Sequence, residues 1–411
     1  MEKGRLEPKH VQKSSSTPSS QGSVARASVN VSPTGQPMAL RAADVNAMQK
    51  TGGNLAVQRM LTAQKEQTTD KTAGVDASQV AGKKFDDFDG KQYRVSGRAP
   101  NRKMEEVKRT EETTPDGSRK VVYYAVGEVV SFSGKMPIVN YYREPISLGD
   151  WYPSVTHLNG MNVAPQDGME DAQGLQEAVN SSLDDANKAE GVALQQSAVD
   201  LLYTYSAKRS NFFLDLVDCI KGKVGVRDNV TEKQELIMLD AIRNKHRTTV
   251  SAHSRGTIKT DNAIRNVYKQ LQKEYLGPAR SSEEAKAAYE EALANASAKK
   301  KGASPEMIAE MARDEMAKQV AASTAEADMN KYIQLIFAGN AVSFPSKILK
   351  ADLYVGNLDM VSFFVGTYTK FGAKMASQGN ATLHKVSGGH GFGKNYSDHV
   401  GKNIAEDIRK R

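Results

Sequence analysis

Thr248-Thr249-Val250-Ser251-Ala252-His253-Ser254-Arg255-Gly256-Thr257 sets a β-branched run directly against a serine flanked by small residues. The stretch predicts a strand that turns sharply into a helix with Ser254 at the corner. A serine held in such a strained turn projects its hydroxyl clear of the sheet, and small neighbours let strand and helix approach closely. The usual pattern is G-x-S-x-G. Here Ala252 takes the first glycine position, where the requirement is a small side chain.

A five-residue match says little alone, so the flanks decide. Upstream, Leu236, Ile237, Leu239 and Ile242 fall on one face of a helix predicted over Lys233 to Asn244, and Arg247 to Val250 then turns β-branched. Downstream, Ile264, Val267, Leu271 and Tyr275 recur at helical steps within Lys259 to Tyr275. Helix, strand, serine, helix is the order such a turn requires.

Strand and helix signals alternate on either side. Strands are predicted at Val155 to Leu158, Val199 to Thr204, Ile333 to Phe337, Ala351 to Val355 and Ala381 to Val386, with helices at about Met169 to Ser182 and Phe212 to Lys221. This alternation implies an α/β fold with a mostly parallel sheet covered by helices on both faces. Ahead of it, Lys83 to Glu144 reads as antiparallel strands. Met104 to Thr113 and Lys120 to Ser131 flank the turn signal Thr114-Pro115-Asp116-Gly117-Ser118.

The expected organisation is a disordered leader over 1–82 and one folded domain over 83–411 with a helical insertion at 278–329. The leader is rich in Ser, Thr, Gln, Gly and Ala, a composition that buries too little apolar surface to offset ordering the backbone. Within it, 39–63 predicts two short amphipathic helices around Thr51-Gly52-Gly53-Asn54. The insertion predicts two helices, begun at Ser281-Ser282-Glu283-Glu284 and at Ser304-Pro305-Glu306. It is long for a connection in a compact sheet, which opens two readings: a lid over the site or a solvated decoration.

Composition limits the function classes. The 411 residues carry one cysteine, Cys219, so no internal disulfide can form. No Cys/His spacing suggests zinc. The net charge of +8 is spread along the chain without a basic stripe and interleaved aromatics, so nucleic acid is not an expected partner. No apolar run is long enough to span a bilayer, and the N-terminus lacks the apolar core of a Sec signal.

A serine nucleophile needs a base, and the base needs an acid to hold its tautomer. Asp359 falls just past the strand ending near Val355, on the sheet edge expected for Ser254; its alternative role is to cap a helix over Met360 to Tyr368. Asp352 is the weaker acid because it precedes most of its strand. His390 lies in the loop Ser387-Gly388-Gly389-His390-Gly391 after the last strand, with His399 in the closing helix as the alternative base. The glycine-rich loop lacks phosphate-cradle spacing, and a metal cluster of His384, His390, Asp398 and His399 has nothing to fix its geometry. An oxyanion hole needs two backbone amides. Arg255, after the serine, supplies one, and Gly160 in Asn159-Gly160-Met161-Asn162 supplies the other. No cofactor or metal is called for.

Two resemblances add to this reading. Residues from about Pro153 to Lys402 resemble the α/β-hydrolase superfamily, particularly its bacterial effector-like members. The resemblance is carried by His157-Leu158-Asn159-Gly160-Met161-Asn162, by Tyr205-Ser206 through Asp215-Leu216, by His253-Ser254-Arg255-Gly256, and by His390 with Phe392 and Tyr396. It implies a serine hydrolase of ester or related acyl bonds, lipase- or esterase-like, with the triad Ser254, Asp359, His390. The rival is a hydrolase-fold component that binds without turnover. In the leader, Met48-Gln49-Lys50-Thr51-Gly52-Gly53-Asn54-Leu55-Ala56-Val57-Gln58-Arg59-Met60-Leu61 resembles a short motif of cargo proteins of bacterial contractile injection systems. That implies a protein made in the bacterial cytoplasm, loaded into an injection particle through 39–63 and delivered to a target cell, with a lipid or small ester as substrate.

Overall fold

The computed structural model describes residues 77–160, 163–191, 198–207, 227–296, 304–342, 348–357, 359 and 381–411. The leader motif at 39–63 and the helices expected over 212–221 and 360–368 lie outside the described residues. Regular structure begins ahead of the expected boundary at Gly82. A short 3-10 turn at Ala77–Val80 places Val80 in the core.

The described strands are β1 (Gln92–Ser96), β2 (Lys103–Thr113), β3 (Arg119–Ser133), β4 (Met136–Ser147), β5 (Val155–Leu158), β6 (Leu201–Thr204), β7 (Thr248–His253), β8 (Ile333–Ala338), β9 (Ala351–Gly356) and β10 (Ala381–Val386). They form one sheet in the order β10-β9-β8-β7-β5-β6-β1-β2-β3-β4. From β6 to β10 every pairing is parallel, whereas β1 runs antiparallel to β6 and continues antiparallel through β4. The central strands β5, β6 and β7 are buried at every residue, as expected for strands covered on both faces. β6 starts at Leu201, not Val199, because the Val199 amide donates to Asn180 Oδ1 at 2.9 Å and so leaves the ladder.

Seven helices are described: α1 (Pro165–Ala189), α2 (Asn229–Arg243), α3 (Arg255–Arg280), α4 (Glu283–Ala296), α5 (Pro305–Tyr332), α6 (Phe392–Asn395) and α7 (Ser397–Arg409). α1 begins four residues before the expected Met169. Pro165 opens it, a position where the missing N–H costs no hydrogen bond. Asp228 caps α2 by accepting the Thr231 amide at 2.8 Å, and Ser304 caps α5 by accepting the Met307 amide at 3.2 Å.

Strand side chains alternate between two cores. Val250, Ala252, Leu335, Phe337 and Leu353 pack on one face with Met238, Leu239, Ile264, Val267 and Met329 of α2, α3 and α5. Ile336, Ala338, Tyr354 and Val386 pack on the other with Leu175, Val179, Phe392, Val400 and Ile404 of α1, α6 and α7. The architecture is a mostly parallel α/β sheet with helices on both faces, an antiparallel N-terminal part, and a sharp strand-to-helix elbow at the end of β7.

The described helices of the insertion, α4 and α5, do not close over the elbow. Tyr275 donates to Asp328 Oδ2 at 2.6 Å, and Arg280 pairs with Asp314 at 3.0 Å. α5 therefore runs antiparallel to α3, packing Ala317 and Ala321 on Ala279. α5 feeds straight into β8 at Ile333, which pairs with Thr248 at the start of β7. Ser254 follows the other end of that strand. The described parts of the hairpin are thus anchored at the sheet edge opposite the serine, and the lid reading is set aside on that geometry.

Candidate active site

Ser254 has φ 50° and ψ −121°, outside the regions open to L-residues without strain. Three contacts hold it there. Its amide donates to the Ala338 carbonyl at the end of β8 at 3.0 Å, and its own carbonyl accepts the Thr257 amide at 2.9 Å and the Thr257 hydroxyl at 2.6 Å. Thr257 Oγ1 in turn accepts the Ala341 amide at 3.1 Å. The small residues of the elbow each have a steric reason. Ala252 is fully buried. A Cβ on Gly256 would stand 2.8 Å from the Asn159 carbonyl oxygen, so glycine is what lets α3 approach the end of β5.

Gly160 sits directly behind the serine. A Cβ there would lie 3.0 Å from Ser254 Cβ and 2.6 Å from His253 Nδ1. Asn159 fixes this loop: its Nδ2 donates to the Ser206 carbonyl at 2.9 Å, and its Oδ1 accepts the Tyr203 hydroxyl at 3.0 Å and the Ser206 amide at 2.7 Å. Arg255 opens α3, where the first amides point out of the helix end beside the serine. Its side chain goes elsewhere, donating to Ser206 Oγ at 3.0 Å and to the Ala207 carbonyl.

Asp359 and His390 come together across 31 residues. His390 Nδ1 lies 2.8 Å from Asp359 Oδ1, with the Asp359 side chain fully buried and the imidazole 28 % exposed. An ionised carboxylate only accepts, so Nδ1 carries the proton and the neutral ring leaves Nε2 bare. Among the described residues, buried His390 Nε2 and Ser254 Oγ have no hydrogen-bond partner, so the serine-to-histidine link is open in this state. Such links are often long in unliganded sites and tighten when substrate binds.

The alternatives are drawn elsewhere. His384 Nε2 bonds Asp352 Oδ1 at 2.8 Å and its ring stacks on Tyr354 at 4.4 Å, making a separate pair toward the sheet margin. His399 is exposed on α7. No group of three or more metal-ligating side chains occurs among the described residues.

Two positions that contact the Asp359–His390 pair escaped the sequence reading. Tyr396 entered it only as part of a resemblance, yet its hydroxyl donates to Asp359 Oδ2 at 2.6 Å and accepts the Gly356 amide at 2.9 Å. Gly339, just past β8, has φ 53°, and a Cβ there would lie 2.9 Å from His390 Cε1 and 3.0 Å from Asp359 Oδ2. The available signal was a glycine directly after a buried strand.

Burial shapes the electrostatics. His157 and His253, both buried, are pushed down to about 3 by loss of solvation, with the neighbouring His390 adding to the effect on His253. Asp171 on α1 is pushed up to about 7, first by burial and then by Asp167 and Glu170, although its Oδ1 accepts the Gly393 amide at 3.1 Å.

No protein-family model matches the chain. No curated protein matches it either. Among solved structures, a mutant of the feruloyl esterase module from Clostridium thermocellum complexed with sinapinate overlaps 75% of this chain and 87% of its own, at 7% identity and TM-score 0.28. An S-formylglutathione hydrolase from Staphylococcus aureus overlaps 74% and 95%, at 11% identity and TM-score 0.27. A peroxisomal alpha-beta-hydrolase from Saccharomyces cerevisiae overlaps 75% and 88%, at 12% identity and TM-score 0.27. At TM-scores this low the likenesses carry no argument; strand order, elbow and side-chain geometry do.

Proposed function

We propose that the chain is a serine hydrolase of ester or related acyl bonds. The observation that carries the reading is the hydrogen bond from His390 Nδ1 to buried Asp359 at 2.8 Å, beside a serine held at φ 50°. Ser254 Oγ attacks the substrate carbonyl while His390 Nε2 takes the hydroxyl proton. Asp359 holds the tautomer and stabilises the imidazolium. The amides of Arg255 and Gly160 receive the negative charge that develops on the carbonyl oxygen, each such donor contributing about 10²- to 10³-fold. His390 then returns the proton to the leaving alcohol. Water, activated by the same nitrogen, releases the acyl group from Ser254.

A fluorophosphonate probe tests the chemistry. The parent is expected to label and Ser254→Ala to remain unlabelled; an unlabelled parent, or full labelling of the variant, overturns the reading. The rival, a hydrolase-fold binding or structural component without turnover, draws on the open link between Ser254 Oγ and His390 Nε2. An unlabelled parent favours it.

Delivery belongs to the same proposal. The resemblance of 48–61 to injection-system cargo supports loading into a contractile particle from the bacterial cytoplasm, with a lipid or small ester of the target cell as substrate. No described helix is long and apolar enough to cross a membrane. Deleting 39–63 should abolish co-sedimentation with purified particles while leaving probe labelling intact. Unchanged co-sedimentation rules out loading through this segment.

A further inference from the structure

We propose that His253 is a positioning residue, which holds His390 in place for Ser254 by donating its Nε2–H to the His390 carbonyl oxygen. The geometry stands by itself; its consequence for turnover rests on the serine-hydrolase reading. His253 ends β7 immediately before the serine and is 5% exposed. Its Nε2 lies 2.7 Å from the His390 carbonyl oxygen. A carbonyl only accepts, so Nε2 carries the proton.

The ring packs among the aromatic side chains that surround the base. It packs on the His390 ring at 4.8 Å between centroids, and against Phe392 at 5.5 Å and Tyr396 at 5.9 Å. Its other nitrogen, Nδ1, is buried without a hydrogen-bond partner among the described residues and borders Gly160. Burial keeps the imidazole neutral, which fits a bare Nδ1.

The need for such a tether is visible in the loop. Three of the five residues from Ser387 to Gly391 are glycine, so the backbone has much conformational freedom to lose and few side chains to hold it. Asn357 Oδ1 accepts the Gly388 amide at 3.0 Å, and Asn395 Nδ2 donates to the Gly391 carbonyl at 3.0 Å. Those bonds hold either side of His390. The contact from His253 holds the residue itself, and does so from the strand that carries the nucleophile.

Imidazole nitrogen NMR on the full chain, with fluorophosphonate labelling rates, tests the proposal. In the parent, His253 should show a protonated Nε2 and bare Nδ1, and His390 a downfield Nδ1 proton from its bond to Asp359. A protonated Nδ1 and bare Nε2 on His253 overturns the proposal before any variant is made. His253→Gln keeps an N–H donor and should keep the downfield His390 proton and label at about the parent rate. His253→Phe keeps a ring without the donor; it should lose that proton to exchange and label about tenfold more slowly or worse. Equal proton signals in the two variants overturn the tether, as do equal labelling rates. A parent that shows the expected nitrogen signals but takes no label overturns the hydrolase reading and leaves the tether standing.

Discussion

Tyr396 and Asp359 are joined by a 2.6 Å hydrogen bond from the tyrosine hydroxyl to Oδ2, and the same hydroxyl accepts the Gly356 amide at 2.9 Å. The acid therefore has both oxygens occupied, one by the proposed base and one by a fully buried phenol that also closes the end of β9. Removing the phenol oxygen leaves a carboxylate oxygen and an amide buried without that partner. Tyr396→Phe should lower kcat about tenfold or more with KM little changed, and lower stability by about 1–3 kcal/mol. Steady-state kinetics and urea unfolding read the two effects; a parent-like kcat would show that Asp359 needs no second anchor.

Gly339 is a packing constraint on the same pair. Gly339→Ala introduces a methyl 2.9 Å from His390 Cε1 at a residue with φ 53°. The backbone strain should cost about 1–2 kcal/mol. Displacement of His390 by an ångström should slow probe labelling about 10²-fold. Unchanged labelling would place the reacting face of His390 away from this glycine.

Ser254 stores strain that glycine would release. Ser254→Gly should abolish labelling while raising unfolding stability by about 1 kcal/mol, within the range for a residue held in a sparsely populated conformation. Ser254→Ala keeps the Cβ and should show the same loss of labelling without the gain. Equal stability of the two variants would mean the turn costs little.

Asp171 makes stability pH-dependent in a direction unusual for a carboxylate. Burial raises its folded pKa from 3.8 to about 7, so the native state binds the proton more tightly than the unfolded chain. This contribution is fully present below about pH 4 and is lost as pH rises through about 7, with a limiting slope of about 1.4 kcal/mol per pH unit. Asp171→Asn does not titrate. Its stability relative to the parent should rise across that window and level off above it. Parallel curves from denaturant titrations would show that Asp171 ionises as it does in the unfolded chain.

The sequence made the elbow legible because its requirements are local: a β-branched run, Ala252 and Gly256 around Ser254, and amphipathic helices on either side. β5 lies at Val155–Leu158 as expected, and β10 at Ala381–Val386. Both are short runs carrying β-branched residues and bounded by Pro, Ser, Asn or Gly, a pattern that reads directly. Position along the chain also pointed to Asp359 and His390, since each follows a strand and strand ends collect at one edge of a parallel sheet. Gly339 and Tyr396 depend on approach between distant segments, which no local pattern encodes. The placement of the insertion was hidden for a related reason. Its periodicity specifies two helices, but the pairing of Tyr275 with Asp328, which decides where they lie, is tertiary.

The order of assembly follows from the placement of α6 and α7. His390, Phe392 and Tyr396 all belong to the segment 381–411, which folds against α1 through Val400 and Ile404 and is tied to the base of the sheet by Arg247 and Asp407 at 2.6 Å. During synthesis Ser254 leaves the ribosome well before this segment. A nascent chain therefore displays the serine without base or tyrosine anchor, and under the proposed chemistry a product truncated ahead of Ala381 is expected to take no fluorophosphonate label. The proposed nucleophile waits for its base until the last strand and helix have docked.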